Sequence, residues 1–166
     1  MAQLNSFDVT TGVDLQEVDN AVNQTQKEIG QRYDFKGSSA TIEFKRAEEL
    51  LSLVADSEMQ MRALVDVLWG KLVKRGVPVK NLDQGDIKPA GGDTYRCEIK
   101  LKTALDSDTA KKVAAAIKEA KLAKVQAAIQ GDQVRISSPS RDALQEAIQL
   151  LKGKDFGVEL KFGNYR

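Results

Sequence analysis

Gly91-Gly92-Asp93-Thr94-Tyr95-Arg96-Cys97-Glu98-Ile99-Lys100-Leu101-Lys102 reads as a tight turn running into a strand. Tyr95, Cys97, Ile99 and Leu101 alternate with Arg96, Glu98, Lys100 and Lys102, the period-2 pattern of a half-buried strand. Upstream, residues 77–93 hold two of the three prolines, so regular structure is expected to be weak there, with Ile87 marking a short strand. A Gly-Gly turn is short enough only for a hairpin. It therefore places 94–102 beside the strand before it, as part of the first half of the chain.

The remaining elements fall on either side of this hairpin. Residues 6–11 alternate as a strand, with Phe7 and Val9 on one face and Ser6, Asp8 and Thr10 on the other. Asp14 with Glu17 forms a capping box, and Leu15, Val18, Val22, Thr25 and Ile29 give 15–32 an amphipathic helical stripe. After Gly37, the run Ala40, Ile42, Phe44 and the run Leu51, Leu53, Ala55 read as paired strands around a turn at 46–49. Ser57 and Gln60 cap a second helix, a box worth about 1 kcal/mol, and Gly76 and Pro78 end it.

Beyond residue 102 the series repeats. A helix capped by Asp106 or Ser107 runs to about residue 122. Val125, Ala127 and Ile129 lead through a Gly131-Asp132 hairpin loop to Val134 and Ile136. Ser140 caps a helix with Leu144, Ala147, Ile148 and Leu151 inward, and Val158, Leu160 and Phe162 close the chain as a last strand. Each half is thus a β-α-β-β-α-β series, the ferredoxin-like plan of an α+β protein. If 94–102 belongs to the first half, the strand at 6–11 is left to complete the second, next to 158–163. The expected organisation is a tandem of two ferredoxin-like domains exchanging their first strands: 14–103, and 1–13 with 104–166.

Composition narrows the chemistry. The chain has 166 residues, room for one ordinary domain or two small ones. It has no histidine and one cysteine, Cys97, which excludes His-based catalytic couples, internal disulfides and thiolate zinc clusters. Lys and Arg number 25 against 24 Asp and Glu, so no basic field coats nucleic acid, but the balance is −3 over residues 1–92 and +4 over 93–166. No apolar run reaches the ~20 residues of a membrane span, and the first residues lack a leader pattern, so a cytoplasmic protein without membrane contact is expected. No phosphate-binding glycine loop or metal-ligand spacing is present in the sequence. Neither enzymatic activity nor a cofactor is expected.

Candidate binding residues come from two places. Arg32-Tyr33-Asp34-Phe35-Lys36 joins two cations and two aromatics at the end of the first helix. There Arg32 and Lys36 suit a phosphate and Phe35 or Tyr33 suits a stacked base, or else Phe35 simply closes the core beneath the loop. In the second half the face turned away from the helices carries Gln130, Gln133 and Arg135. These can bond base edges and phosphates, although any sheet face in water is polar. No aromatic occurs on that face, so the ring-stacking arrangement of RNA-recognition domains is not expected.

Taken together, several segments resemble the bacterial YajQ family. They are Ser6-Phe7-Asp8-Val9, Val13-Asp14-Leu15-Gln16-Glu17-Val18, Arg32-Tyr33-Asp34-Phe35-Lys36, Leu72-Val73-Lys74-Arg75-Gly76, the run from Val125 to Arg135, and Asn164-Tyr165-Arg166. The resemblance covers essentially the whole chain. It implies two ribonucleoprotein-like domains and a non-catalytic, nucleotide-binding role. The implied ligand is cyclic di-GMP, with action through a transcription regulator; RNA, including tRNA, is the alternative ligand. A third reading is an interaction adaptor without a nucleotide. The chain departs from the family where many members read Val-Thr-Gly-Lys-Lys-Arg-Asp-Asp-Leu-Gln. Here the segment is Ile136-Ser137-Ser138-Pro139-Ser140-Arg141-Asp142-Ala143-Leu144-Gln145, so a basic loop has become Ser-Pro-Ser.

Overall fold

In the computed structural model, which describes residues 4–122 and 124–166, β6 (Thr94–Leu101) is the strand that organises one sheet. It lies between β3 (Leu50–Ala55) and the pair β4 (Leu82–Gln84) and β5 (Lys88–Ala90), and β2 (Thr41–Lys45) pairs with the far side of β3. Every pairing is antiparallel, with Leu53 opposite Cys97 and Pro89 opposite Tyr95. The weak strand expected around Ile87 is in fact two short ones, with Ile87 in the gap. Gly85 donates its N–H to the Glu98 carbonyl at 2.8 Å, and a Cβ on Gly85 would lie 3.2 Å from that same oxygen. Pro89, which has no N–H to give, is accommodated on this interrupted edge.

The second sheet has the order β7-β8-β1-β9: β7 (Gln126–Gln130), β8 (Gln133–Ser138), β1 (Asn5–Thr10) and β9 (Lys161–Gly163). β1 is central, antiparallel to β8 with Phe7 opposite Ile136, and antiparallel to β9 with Val9 opposite Phe162. β7 and β8 are joined through Gly131, whose φ of 62° is the left-handed value that the first position of such a hairpin loop requires. β9 is shorter than the alternation of Val158, Leu160 and Phe162 suggests. Val158 is buried, but regular pairing starts only at Lys161.

Four helices occur among the described residues: α1 (Leu15–Gln31), α2 (Glu58–Lys74), α3 (Ser107–Glu119) and α4 (Arg141–Lys152). Their N-caps are Asp14, Ser57, Asp106 and Ser140, each of which accepts backbone N–H bonds of the first turn. The chain divides into two compact units: Val13–Lys102, and the residues up to Gly12 together with Thr103–Arg166. In the first unit α1 and α2 supply Val18, Val22, Leu64 and Leu68 to a core that they share with Leu51, Leu53, Cys97 and Ile99 of the sheet. In the second, Val113 and Ile117 of α3 and Leu144 and Ile148 of α4 pack with Phe7, Val9, Val134 and Ile136. Each unit therefore has the α+β, ferredoxin-like architecture: one antiparallel sheet with two helices on one face.

Candidate functional site

The segment after α1 does two different things with its aromatics. A single 3-10 turn, Tyr33–Phe35, reverses the chain. It drops Phe35 into the core of its unit, where the residue is 5% exposed, and leaves Tyr33 91% exposed. Phe35 thus closes the core beneath the loop, and the ring open to a stacking partner is Tyr33. Arg32 stands 5.3 Å over the Phe35 ring and is held there by acids. Its Nε and Nη2 donate to the two Asp34 carboxylate oxygens at 2.9 and 2.7 Å, and Glu28 lies 3.6 Å from Nη1. Asp34 is held below the usual carboxylate range by Arg32. Glu28 is lowered chiefly by Lys71, whose Nζ lies 2.9 Å away. Lys36 is exposed at the exit of the turn.

In the second unit, the sheet face away from the helices carries the other three expected residues. Gln130 and Gln133 oppose one another across the hairpin, Gln130 exposed and Gln133 half-buried. Arg135, two residues further along the same face, is directly opposite Asp8 of β1. Its Nε donates to Asp8 Oδ1 at 2.9 Å and its Nη2 to Oδ2 at 3.4 Å. Asn164 Nδ2 donates to Oδ2 from the other side at 2.6 Å. Asp8 is only 3% exposed beneath these groups. Its carboxyl is held below the ordinary value, first by the Arg135 hydrogen bonds, against the opposing effect of burial, and then by Asn164 with the charges of Arg135 and Arg166.

Asn164 reaches Asp8 because the strand bulges. After Gly163 pairs with Asp8, Asn164 takes a left-handed φ of 54°, and the backbone of Arg166 then exchanges two hydrogen bonds with Ser6, at 2.9 and 3.2 Å. Asn164 and Tyr165 together stand opposite the single residue Phe7, which is the geometry of a β-bulge. The Tyr165 ring comes to 6.2 Å from that of Phe7 and stays 63% exposed.

Beside this bulge lies a cleft of about 320 Å³. Buried Phe7, Leu144 and Ile148 give it an apolar side, and Arg141 and Gln145 of α4 with Asn5, Tyr165 and Arg166 give it a polar one. Arg141 Nε donates to Asn5 Oδ1 at 3.4 Å, and Asn5 Nδ2 donates to the Pro139 carbonyl at 3.4 Å. Among the expected residues, Arg32, Phe35 and Lys36 thus share one turn and Gln130, Gln133 and Arg135 share one face, in separate units. Phe7, Leu144 and Ile148 are legible from periodicity as core positions, but the polar residues of the cleft carry no periodic signal. Only the terminal run Asn164-Tyr165-Arg166, where strand alternation stops, points toward them.

Comparison with known proteins covers the same span as these sites. The family described as "Nucleotide-binding protein YajQ-like" matches residues 5–166. The chain belongs to this family. It is 48% identical over 161 residues to a nucleotide-binding protein of Trichlorobacter lovleyi, covering 97% of this chain and 98% of the relative. It is 46% identical to one of Desulfitobacterium hafniense over the full length of both chains. A relative from Magnetococcus marinus, also named as a nucleotide-binding protein, is 50% identical over 97% of this chain and 98% of its own. The match to the YajQ-like family therefore spans nearly all the residues of both units. No helix among the described residues is long and apolar enough to cross a membrane.

Proposed function

We propose that this chain is a nucleotide-binding protein whose ligand is a cyclic dinucleotide, cyclic di-GMP, and that it acts by binding, through a partner such as a transcription regulator, without catalysis in the cytoplasm. The observation that carries this reading is the 46–50% identity, over nearly whole chains, to relatives named for nucleotide binding. Residue chemistry supports it. Such a ligand has two phosphates that need cations and two guanines that need stacking rings and edge donors. Exposed Lys36 and Tyr33 offer a cation and a ring, and Gln130 and Gln133 offer amides. Arg32 and Arg135 are each committed to a carboxylate and would have to release it to meet a phosphate.

Thermal unfolding with a panel of nucleotides tests the reading. A ligand at a hundred times its dissociation constant stabilises by about 2.7 kcal/mol, a melting shift of roughly 5–10 °C at this size. Cyclic di-GMP is expected to give the largest shift. No shift with any guanine nucleotide overturns the proposal. Tight RNA binding whose log–log salt slope grows by about one per phosphate contact would overturn it in favour of RNA.

A further inference from the structure

We propose that the cleft between α4, the start of β1 and the bulged C-terminal segment binds one purine nucleotide unit, its base on Tyr165 and its phosphate on Arg141. The inference rests on the nucleotide-binding reading above and gives it a place.

Three independent features single out this cleft. The first is charge availability. Arg32 and Arg135 each hold a carboxylate through paired hydrogen bonds. Among the described residues no carboxylate pairs with Arg141, whose Nε has only the neutral Asn5 amide oxygen. No acidic side chain lines the cleft. A phosphate arriving there meets a guanidinium with donors to spare and displaces no ion pair.

The second feature is the ring. Tyr165 is 63% exposed although it touches Phe7, so one face is anchored against the core and another is free. The bulge at Asn164 is what fixes it there. An exposed ring set against the core, with a guanidinium that no described carboxylate neutralises lining the same cleft, is the pairing that a base and its phosphate require.

The third is shape. An apolar side formed by Phe7, Leu144 and Ile148 with a few convergent polar groups is the usual make-up of a small-molecule site. About 320 Å³ lies at the small end of the range for such sites and suits one nucleotide unit better than two. Among the described residues, other clefts lack this combination: the one of about 410 Å³ along α3 has Lys118 and Gln126 but no aromatic ring. The one around Gly85 mixes Asp86 and Glu98 with Lys88 and Arg96, and the one beneath Phe35 has no charged side chain. Gln145, one turn along α4 from Arg141, is placed to read a base edge.

The test is calorimetric titration of the full chain with GMP, cyclic di-GMP and inorganic phosphate. Wild type is compared with Tyr165→Ala, Tyr165→Phe and Arg141→Gln, each checked for an unchanged melting transition. Tyr165→Ala and Arg141→Gln are expected to weaken GMP about tenfold or more. Tyr165→Phe keeps the ring and with it the affinity. GMP and cyclic di-GMP compete for the site, and inorganic phosphate alone binds far more weakly than GMP. Should wild type bind nucleotide while both cleft variants bind it equally well, the cleft is not the site and the nucleotide-binding reading stands. Phosphate binding as tight as GMP would remove the base from the assignment. Failure of wild type to bind any nucleotide would overturn the broader reading and this site with it.

Discussion

Asp8 lies almost fully buried on a sheet face that is otherwise wet, between the guanidinium of Arg135 and the amide of Asn164. Those partners favour the ionised form, so its pKa in the folded chain lies below the ordinary carboxylate value of about 3.9 that it regains on unfolding. A depressed carboxyl stabilises the fold in full above the unfolded-state value. The contribution is lost as pH falls through the folded-state value, where the folded chain must take up the proton. Asp8→Asn is therefore expected to be less stable than wild type at pH 7, with the gap closing as pH drops below about 4. Urea midpoints at pH 7, 4 and 3 measure this; a gap independent of pH would mean that the carboxylate charge is not its source. Glu28 and Asp34 are lowered in the same direction, so the variant keeps part of the acid sensitivity. At this scale the sequence shows that Asp8 and Arg135 both point away from the helices. That they meet depends on the register of strands 127 residues apart.

At the scale of elements, the local rules hold wherever a segment satisfies itself. Asp14 caps α1 by accepting from the N–H groups of Gln16 and Glu17, and the buried stripe of Val18, Val22, Thr25 and Ile29 falls on the face that the spacing requires. The region between Pro78 and Gly91 is different, since its conformation is set by β6. Two glycines separate the cases. Gly30 sits in α1 with nothing within 4 Å of an added Cβ, so Gly30→Ala is expected to stabilise by about 0.5–1 kcal/mol. Gly85→Ala pushes a methyl to 3.2 Å from a backbone oxygen of the neighbouring strand, and about 1 kcal/mol or more of destabilisation is expected. Denaturant midpoints of the two variants should move in opposite directions. If both rise, β4 and β5 can separate from β6 without cost.

For the molecule as a whole, the two units regroup the charges. Counted along the chain, the first 92 residues and the rest differ by −3 against +4. Counted by unit, Val13–Lys102 has 14 basic and 15 acidic side chains, and the other unit has 11 and 9, so the imbalance shrinks to −1 and +2. A broad electrostatic field is thus a weaker argument for anion binding than one free arginine in one cleft. The placement of β1 carries a sharper consequence. It is the central strand of the sheet built by β7, β8 and β9, although α1 and the whole of the other unit follow it directly in sequence. Removing residues 1–12 is expected to abolish hydrogen-exchange protection in β8 and α4 while leaving β3 and β6 protected. Loss of protection in β3 and β6 instead would assign the strand to the other unit.

The sequence alone determined what depends on spacing and on elementary side-chain chemistry. Helix caps, alternating strands, the repeated β-α-β-β-α-β order and the hairpin at Gly91-Gly92 all act over a few residues. The lack of histidine excludes imidazole chemistry by composition alone. Tertiary structure decided which cations are free. Arg32 is neutralised by Asp34, two residues away, and Arg135 by Asp8, far off in the chain, while Arg141 donates only to the neutral Asn5 amide. It also decided which rings are exposed: Phe35 went into the core and Tyr33 and Tyr165 stayed out. The reason is the same in both cases. Whether a charge is neutralised or a ring is buried depends on what packs against it: for Arg32, Tyr33 and Phe35 the 3-10 turn decides, and for Arg135 and Tyr165 strand register and a bulge do, which a one-dimensional pattern does not contain.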